Sequence, residues 1–125
     1  MTAGIYDFTG DQICEQGATL RRRFTLTDTE TGDPVDLTDY TARMQIRRSK
    51  ESSDVVLELT SENGAFSIDP LIGEVTLEVE ADVTSALIAA SYVYDLELVL
   101  PDSPDPDDVI RLLQGKFRVS REVTR

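Results

Sequence analysis

Short blocks of apolar/polar alternation, separated by turn residues, limit what this chain can fold into more than any other feature of its sequence. Over Thr41–Arg47, Ala42, Met44 and Ile46 fall on one side, with Thr41, Arg43, Gln45 and Arg47 on the other. Val55, Leu57 and Leu59 alternate with Val56, Glu58 and Thr60, and Val75, Leu77 and Val79 with Glu74, Thr76 and Glu78. Tyr92, Tyr94, Leu96, Leu98 and Leu100 alternate with Val93, Asp95, Glu97 and Val99. A period of two sends one set of side chains into a core and the other into water, which is the signature of half-buried antiparallel strands. Seven or eight such strands at this spacing predict an all-β sandwich or barrel.

The punctuation between blocks agrees. Thr31, Gly32, Asp33 and Pro34 predict a turn between a strand at 19–27 and a short segment at 35–37. Glu62-Asn63-Gly64 reads as a hairpin turn, because Asn-Gly accepts positive φ. Residues 69–73 predict another turn. The segment 101–108 holds four Asp and three Pro, which predicts a stiff exposed hairpin tip, with calcium binding the less favoured reading. If that hairpin is symmetric about Pro104, Leu96 faces Leu112, Glu97 faces Arg111 and Leu98 faces Ile110. The apolar phase then changes parity before Phe117 and Val119, and Gly115 is the expected bulge. One segment, 81–90, departs from period two. Val83, Leu87 and Ala90 recur at helical spacing behind Asp82 as N-cap, predicting a short helix that plugs one end of the core.

Length and composition set the remaining bounds. With 125 residues, 40% hydrophobic and 29% charged, one domain is expected, with 18–125 as the sandwich and 1–17 as an N-terminal arm or first edge strand. The net charge of −12 opposes binding to nucleic acid or an anionic membrane. Cys14 is the one cysteine and His is absent, which excludes an intrachain disulfide and removes most zinc or copper ligands. Without His, a Ser or Cys nucleophile lacks its usual base. The carboxylates fall on predicted outer faces or in loops, so no enzyme and no cofactor are expected. Cys14, beside Glu15, reads as a structural thiol. Met1 to Asp7 lacks the features of a signal peptide, and folding in a reducing cytoplasm is expected.

The cations are uneven. Arg21, Arg22, Arg23, Arg43, Arg47, Arg48 and Lys50 are seven of the twelve, all within 21–50. If the strands carrying them pair, Arg21, Arg23, Arg43 and Arg47 share one outward face, a basic stripe that is either an ordinary solvated surface or a dock for an acidic partner or a second copy. Arg22 shares the inward parity of Leu20, Phe24 and Leu26, which places it at a sandwich rim or on an edge strand that meets a neighbour. Ile5, Tyr6 and Phe8 are exposed unless a neighbour covers them, as a docking arm would be.

Residues 32–47, Gly-Asp-Pro-Val-Asp-Leu-Thr-Asp-Tyr-Thr-Ala-Arg-Met-Gln-Ile-Arg, followed by the blocks at 73–79, 94–98, 111–115 and 119–125, resemble the immunoglobulin-like N-terminal domain of phage baseplate upper proteins. Asp39 stands where that pattern has Gly, and Asp can also enter the left-handed region. The resemblance covers about residues 12–125. It implies an immunoglobulin-like sandwich in a phage virion (tail, baseplate or head–tail region), made in the host cytoplasm and acting through contacts with other virion proteins or further copies of itself. It carries over no catalytic residue. An adhesin-like or receptor-binding module is the alternative. Stacking on a glycan would fall to Tyr6 and Tyr40, because Trp is absent and Tyr92 and Tyr94 face inward.

Overall fold

A computed structural model describes residues 4–100 and 109–121; the predicted tip at 101–108 and its aspartates lie outside the described residues. These hold nine strands: β1 (Gly4–Ile5), β2 (Cys14–Glu15), β3 (Leu20–Thr25), β4 (Thr41–Arg47), β5 (Leu57–Thr60), β6 (Phe66–Asp69), β7 (Glu74–Val79), β8 (Ser91–Val99) and β9 (Val109–Ser120). A short helix, α1 (Ala81–Ser85), separates β7 from β8. One sheet runs β1-β9-β8-β4-β5, with β2 also on β9, and the other runs β3-β7-β6. With β3 to β9 as strands B, C, C′, D, E, F and G, these are the strand orders of an immunoglobulin-like sandwich.

The alternation fixes what lies between the sheets. Ala42, Met44, Ile46, Leu96 and Leu98 from the larger sheet meet Leu20, Val75, Leu77 and Val79 from the smaller one, all buried. Burying a side chain of this size contributes about 1.5–3 kcal/mol. Tyr92 and Tyr94 also face inward. Their hydroxyls are satisfied by backbone, Tyr92 donating to the Ile88 carbonyl at 2.6 Å and Tyr94 to the Tyr6 carbonyl at 2.5 Å.

Four features differ from the sequence expectation. First, the pairing is not wholly antiparallel: β1 and β2 run parallel to β9, with Gly4 opposite Leu113 and Cys14 opposite Val119. Second, residues 62–64 do not close a hairpin, because β5 and β6 belong to different sheets. The turn carries the chain across the sandwich, and Asn63 is its organiser. The Asn63 side-chain oxygen accepts the Thr60 N–H (3.0 Å), its amide nitrogen donates to the Glu58 carbonyl (3.0 Å), and Ala65 N–H donates to the Thr60 carbonyl (3.1 Å). These groups of β5 point away from β4, so Asn63 occupies the place of a next strand.

Third, the helix is shorter than 81–90, and Asp82 lies in its first turn with Glu80 as N-cap. Beyond Ser85 the turn tightens into Ala86 N–H to Val83 O (3.2 Å) and Leu87 N–H to Thr84 O (3.1 Å), and the following carbonyls accept tertiary donors: Gln16 Nε2 at Leu87 O (2.8 Å), Tyr92 at Ile88 O, and Val119 N–H at Ala90 O (2.9 Å). The plugging role holds, through Leu87 and the fully buried Thr84. The Thr84 hydroxyl accepts Gly17 N–H (3.1 Å) and lies 2.8 Å from the Ala18 carbonyl.

Fourth, the parity change in β9 is real but sits upstream. Glu97 faces Arg111 and Leu98 faces Ile110 as expected, yet Leu96 faces Leu113, which leaves Leu112 as the extra residue. Gly115 serves a different purpose. A Cβ there would overlap the Tyr6 carbonyl and come within 2.6 Å of Asp7 Oδ1. The N-terminal segment therefore lies flush on β9 only because residue 115 has no side chain. Gly115→Ala is expected to lower stability by about 1–3 kcal/mol, the range of an overpacked site, in urea unfolding. Cleavage of the 4–16 segment by a protease should accelerate at the same time.

Candidate functional site

The N-terminal segment is fastened to β9 by a ladder. Tyr6 N–H donates to Gln114 O (3.1 Å), Phe8 N–H to Lys116 O (2.9 Å), Arg118 N–H to Phe8 O (3.0 Å) and Gln16 N–H to Ser120 O (3.1 Å). A 3-10 turn at Gly10–Gln12 bridges the two paired stretches. The expectation of an exposed Ile5, Tyr6 and Phe8 holds for Ile5 alone, at 77% exposure. Phe8 is 1% exposed, because its position opposite Phe117 turns it into the core. Tyr6 is half-buried and meets Phe8 and Phe24 edge-on, with ring centroids 4.9 and 5.3 Å away. Such contacts add about 0.5–1.5 kcal/mol each beyond buried area.

Arg22 owes its odd parity to a contact across the rim. It lies on β3, the edge of the smaller sheet, and reaches across the sandwich to the arm on the edge of the larger sheet. Its Nε donates to Tyr6 Oη (3.1 Å), Nη2 to Gln12 O (2.9 Å) and Nη1 to Arg21 O (2.7 Å). The guanidinium carbon stands 5.7 Å from the Phe8 ring centre, within cation–π range. Tyr6 passes the chain on, donating to Gln12 Oε1 at 3.0 Å. The result is a clasp that joins both sheets at one open side.

The four arginines of the expected stripe do not share a face. β3 pairs with β7 and not with β4, so Arg21 and Arg23 lie on the smaller sheet and Arg43 and Arg47 on the larger. Three of them meet acids across their strands: Arg21–Glu78 at 3.0 Å, Arg23–Glu74 at 3.5 Å and Arg43–Glu97 at 2.9 Å. Exposed pairs of this kind contribute about 0.2–1 kcal/mol. Arg47 instead donates to Ser52 O (2.6 Å) and Gln45 Oε1 (2.8 Å).

The outer face of the larger sheet carries further cations that the expected stripe omitted. Arg111 lies 3.8 Å from Asp95. Lys116 and Arg118 are exposed and alternate with the buried Phe117 and Val119. That alternation is the signal in the sequence, outweighed there by the density of cations at 21–50. Two adjoining depressions of about 330 and 500 Å³ mark this face, and Gln45, Asp95 and Arg111 line both.

The residues of the 32–47 resemblance form a turn that launches β4. The Asp36 carboxylate accepts the Thr38 N–H at 2.9 Å and the Thr38 hydroxyl, and these bonds hold its pKa below the ordinary value. Leu37 is buried, its N–H donates to Pro70 O (3.0 Å), and Tyr40 N–H closes back on Leu37 O (3.0 Å). Asp39 has φ 67°, inside the left-handed region. Tyr40 packs against the core, so neither it nor Tyr6 presents a free ring for sugar stacking.

Cys14 is fully buried. Burial pushes its thiol up from 9.0 to about 11, with Arg22 opposing the shift and Glu15 adding to it. A thiol so placed is a core residue and a poor nucleophile. No protein-family model matches the chain, and no curated protein matches it either.

Two measurements check this arrangement. Arg22→Lys should cost about 1–3 kcal/mol in urea unfolding, because a compact ammonium cannot span three separate acceptors; a variant as stable as the parent would refute the clasp. The Cys14 pKa sets an alkaline limit. The unfolded thiol ionises near 9.0 while the folded one holds its proton to about 11, so the unfolded state binds fewer protons in that window. The Cys14 contribution should be constant below about pH 9 and be lost as pH rises from 9 to about 11, by on the order of 2 kcal/mol. Cys14→Ala should remove the part of the slope between pH 9 and 10.

Proposed function

We propose that this chain is a non-catalytic structural component of a phage virion, from the tail, baseplate or head–tail region, which acts through contacts with other virion proteins and with further copies of itself. The reading rests on the resemblance at 32–47, and the observation that carries it is the turn at 36–40. Every one of these side chains has a structural role, since Asp36 caps, Leu37 anchors, Asp39 takes the left-handed conformation and Tyr40 packs on the core. The motif sets where β4 begins and with it the register of the larger sheet, which suits a module selected for shape.

The surface carboxylates support the same reading. Glu74, Glu78, Asp95 and Glu97 stand beside arginines, and Glu58 accepts from Gln45 at 2.8 Å. Carboxylates engaged in this way work as cross-strand ties. A glycan-binding form of the receptor-binding alternative calls for open aromatic rings, and Tyr6 and Tyr40 are both engaged in packing.

Mass spectrometry of particles purified from the native host provides the test. The chain should be present at a fixed ratio to the major virion proteins and should stay with the particle through high-salt washing. Its absence from particles made by a host that synthesises it would overturn the proposal.

A further inference from the structure

The charge of −12 is not spread evenly over the sandwich. On the outer face of the larger sheet, the strands present Arg43, Arg47, Arg111, Lys116 and Arg118 against Glu15, Glu58, Asp95 and Glu97, with the exposed Asp7 at the edge beside Lys116, so acids and bases balance over the whole face and the cations gather at its Arg47–Lys116 end. Three of the acids are engaged by side chains, Glu97 by Arg43, Asp95 by Arg111 and Glu58 by Gln45, and Asp7 accepts the Lys116 backbone N–H at 2.9 Å. Arg47, Lys50, Lys116 and Arg118 have no carboxylate partner among the described residues. The register sets Arg47 and Lys116 on either side of Val93. Lys50 joins Arg47 and Val93 at the wall of the 330 Å³ depression, whose floor continues to Gln45 and Gln114.

We infer that this face is a docking surface for a carboxylate-rich polypeptide segment of a partner protein. The side chains supply what such a segment needs. Separate cations spaced along the strands match separate carboxylates, the Gln45 and Gln114 amides can both donate to and accept from a main chain, and Val93 offers a small apolar contact between two charges. No aromatic side chain alternates onto this face to stack a sugar or a base, and the acidic remainder of the molecule opposes a dense polyanion. At about 0.15 M salt the screening length is roughly 8 Å, so a ligand seated at the Arg47–Lys116 end responds to the unpaired cations beside it and little to acids elsewhere on the molecule. The inference rests on the assembly reading for its biological setting. Its test uses the isolated protein, so it can fail while the protein is still found in particles.

The probe is a short fluorescent peptide of alternating Glu and Ser, compared by anisotropy with its Gln-for-Glu counterpart. The Glu peptide should bind more tightly by about tenfold, and binding should weaken as salt rises. The pair Lys50→Gln and Lys116→Gln, which leaves the Arg47 hydrogen bonds in place, should remove most of that difference. The pair Arg21→Gln and Arg23→Gln on the other sheet should leave it intact. Equal affinity for the two peptides, or equal loss from the two double variants, overturns the inference. Sedimentation of the protein alone closes the remaining route: a dimer that the Lys50→Gln and Lys116→Gln pair dissociates would make a second copy the occupant and overturn the assignment to a partner.

Discussion

The parallel ladder between the N-terminal segment and β9 is the interaction on which the rest depends. A sandwich of two open sheets leaves gaps at its sides, where core residues would meet water and unpaired backbone would invite other chains. Here one side is closed by the chain's own beginning. The ladder delivers Phe8 into the core beside Phe117 and Tyr94 and places the Tyr6 carbonyl where the Tyr94 hydroxyl can donate to it. It also holds Tyr6 and Gln12 where Arg22 can reach both. The ladder in turn depends on the bare backbone of Gly115. Residues more than a hundred positions apart are thus tied directly, and the N-terminal segment and β9 close one side of the sandwich together.

Electrostatics follows the same sheet geometry. A chain with twice as many acids as bases has every reason to repel itself. The strands use much of the available positive charge as cross-strand partners, so that most outward carboxylates on both sheets have a cation or an amide beside them. Since β3 and β4 lie in different sheets, the arginines dense in sequence are divided between two faces. The unpaired cations of the larger sheet come in part from β9, whose outward side beyond Leu112 carries Lys116 and Arg118 between Gln114 and Ser120.

Much of this is legible in the sequence. The inward sets of β4, β7 and β8 follow from alternation alone, because each residue on a strand reports its own face. The Glu97–Arg111 and Leu98–Ile110 pairs follow from the hairpin, and Asp39 falls in the left-handed region by its position in the motif. What escapes depends on the assignment of strands to sheets, which no local period contains. The Asn63 turn has hairpin chemistry but joins two sheets. The stripe assumes a β3–β4 pairing that the topology does not make. Phe8 reads as exposed because a strand that pairs only with residues at the far end of the chain has no local partner to reveal it. Gly115 stands out in the sequence, but as a bulge: its signal is the absence of a side chain, and the cause is a neighbour lying against it.

Asn63 has a consequence for how such a module can multiply. By presenting its amide to Glu58 and Thr60 as a neighbouring strand would, it ends the larger sheet at β5 without adding a strand. The opposite margin is already taken by the N-terminal segment. The β5 margin is therefore blunted, and copies brought together at high local concentration are hindered from adding a strand there. Growth by stacking of faces remains possible, and that keeps each copy a separate, exchangeable unit.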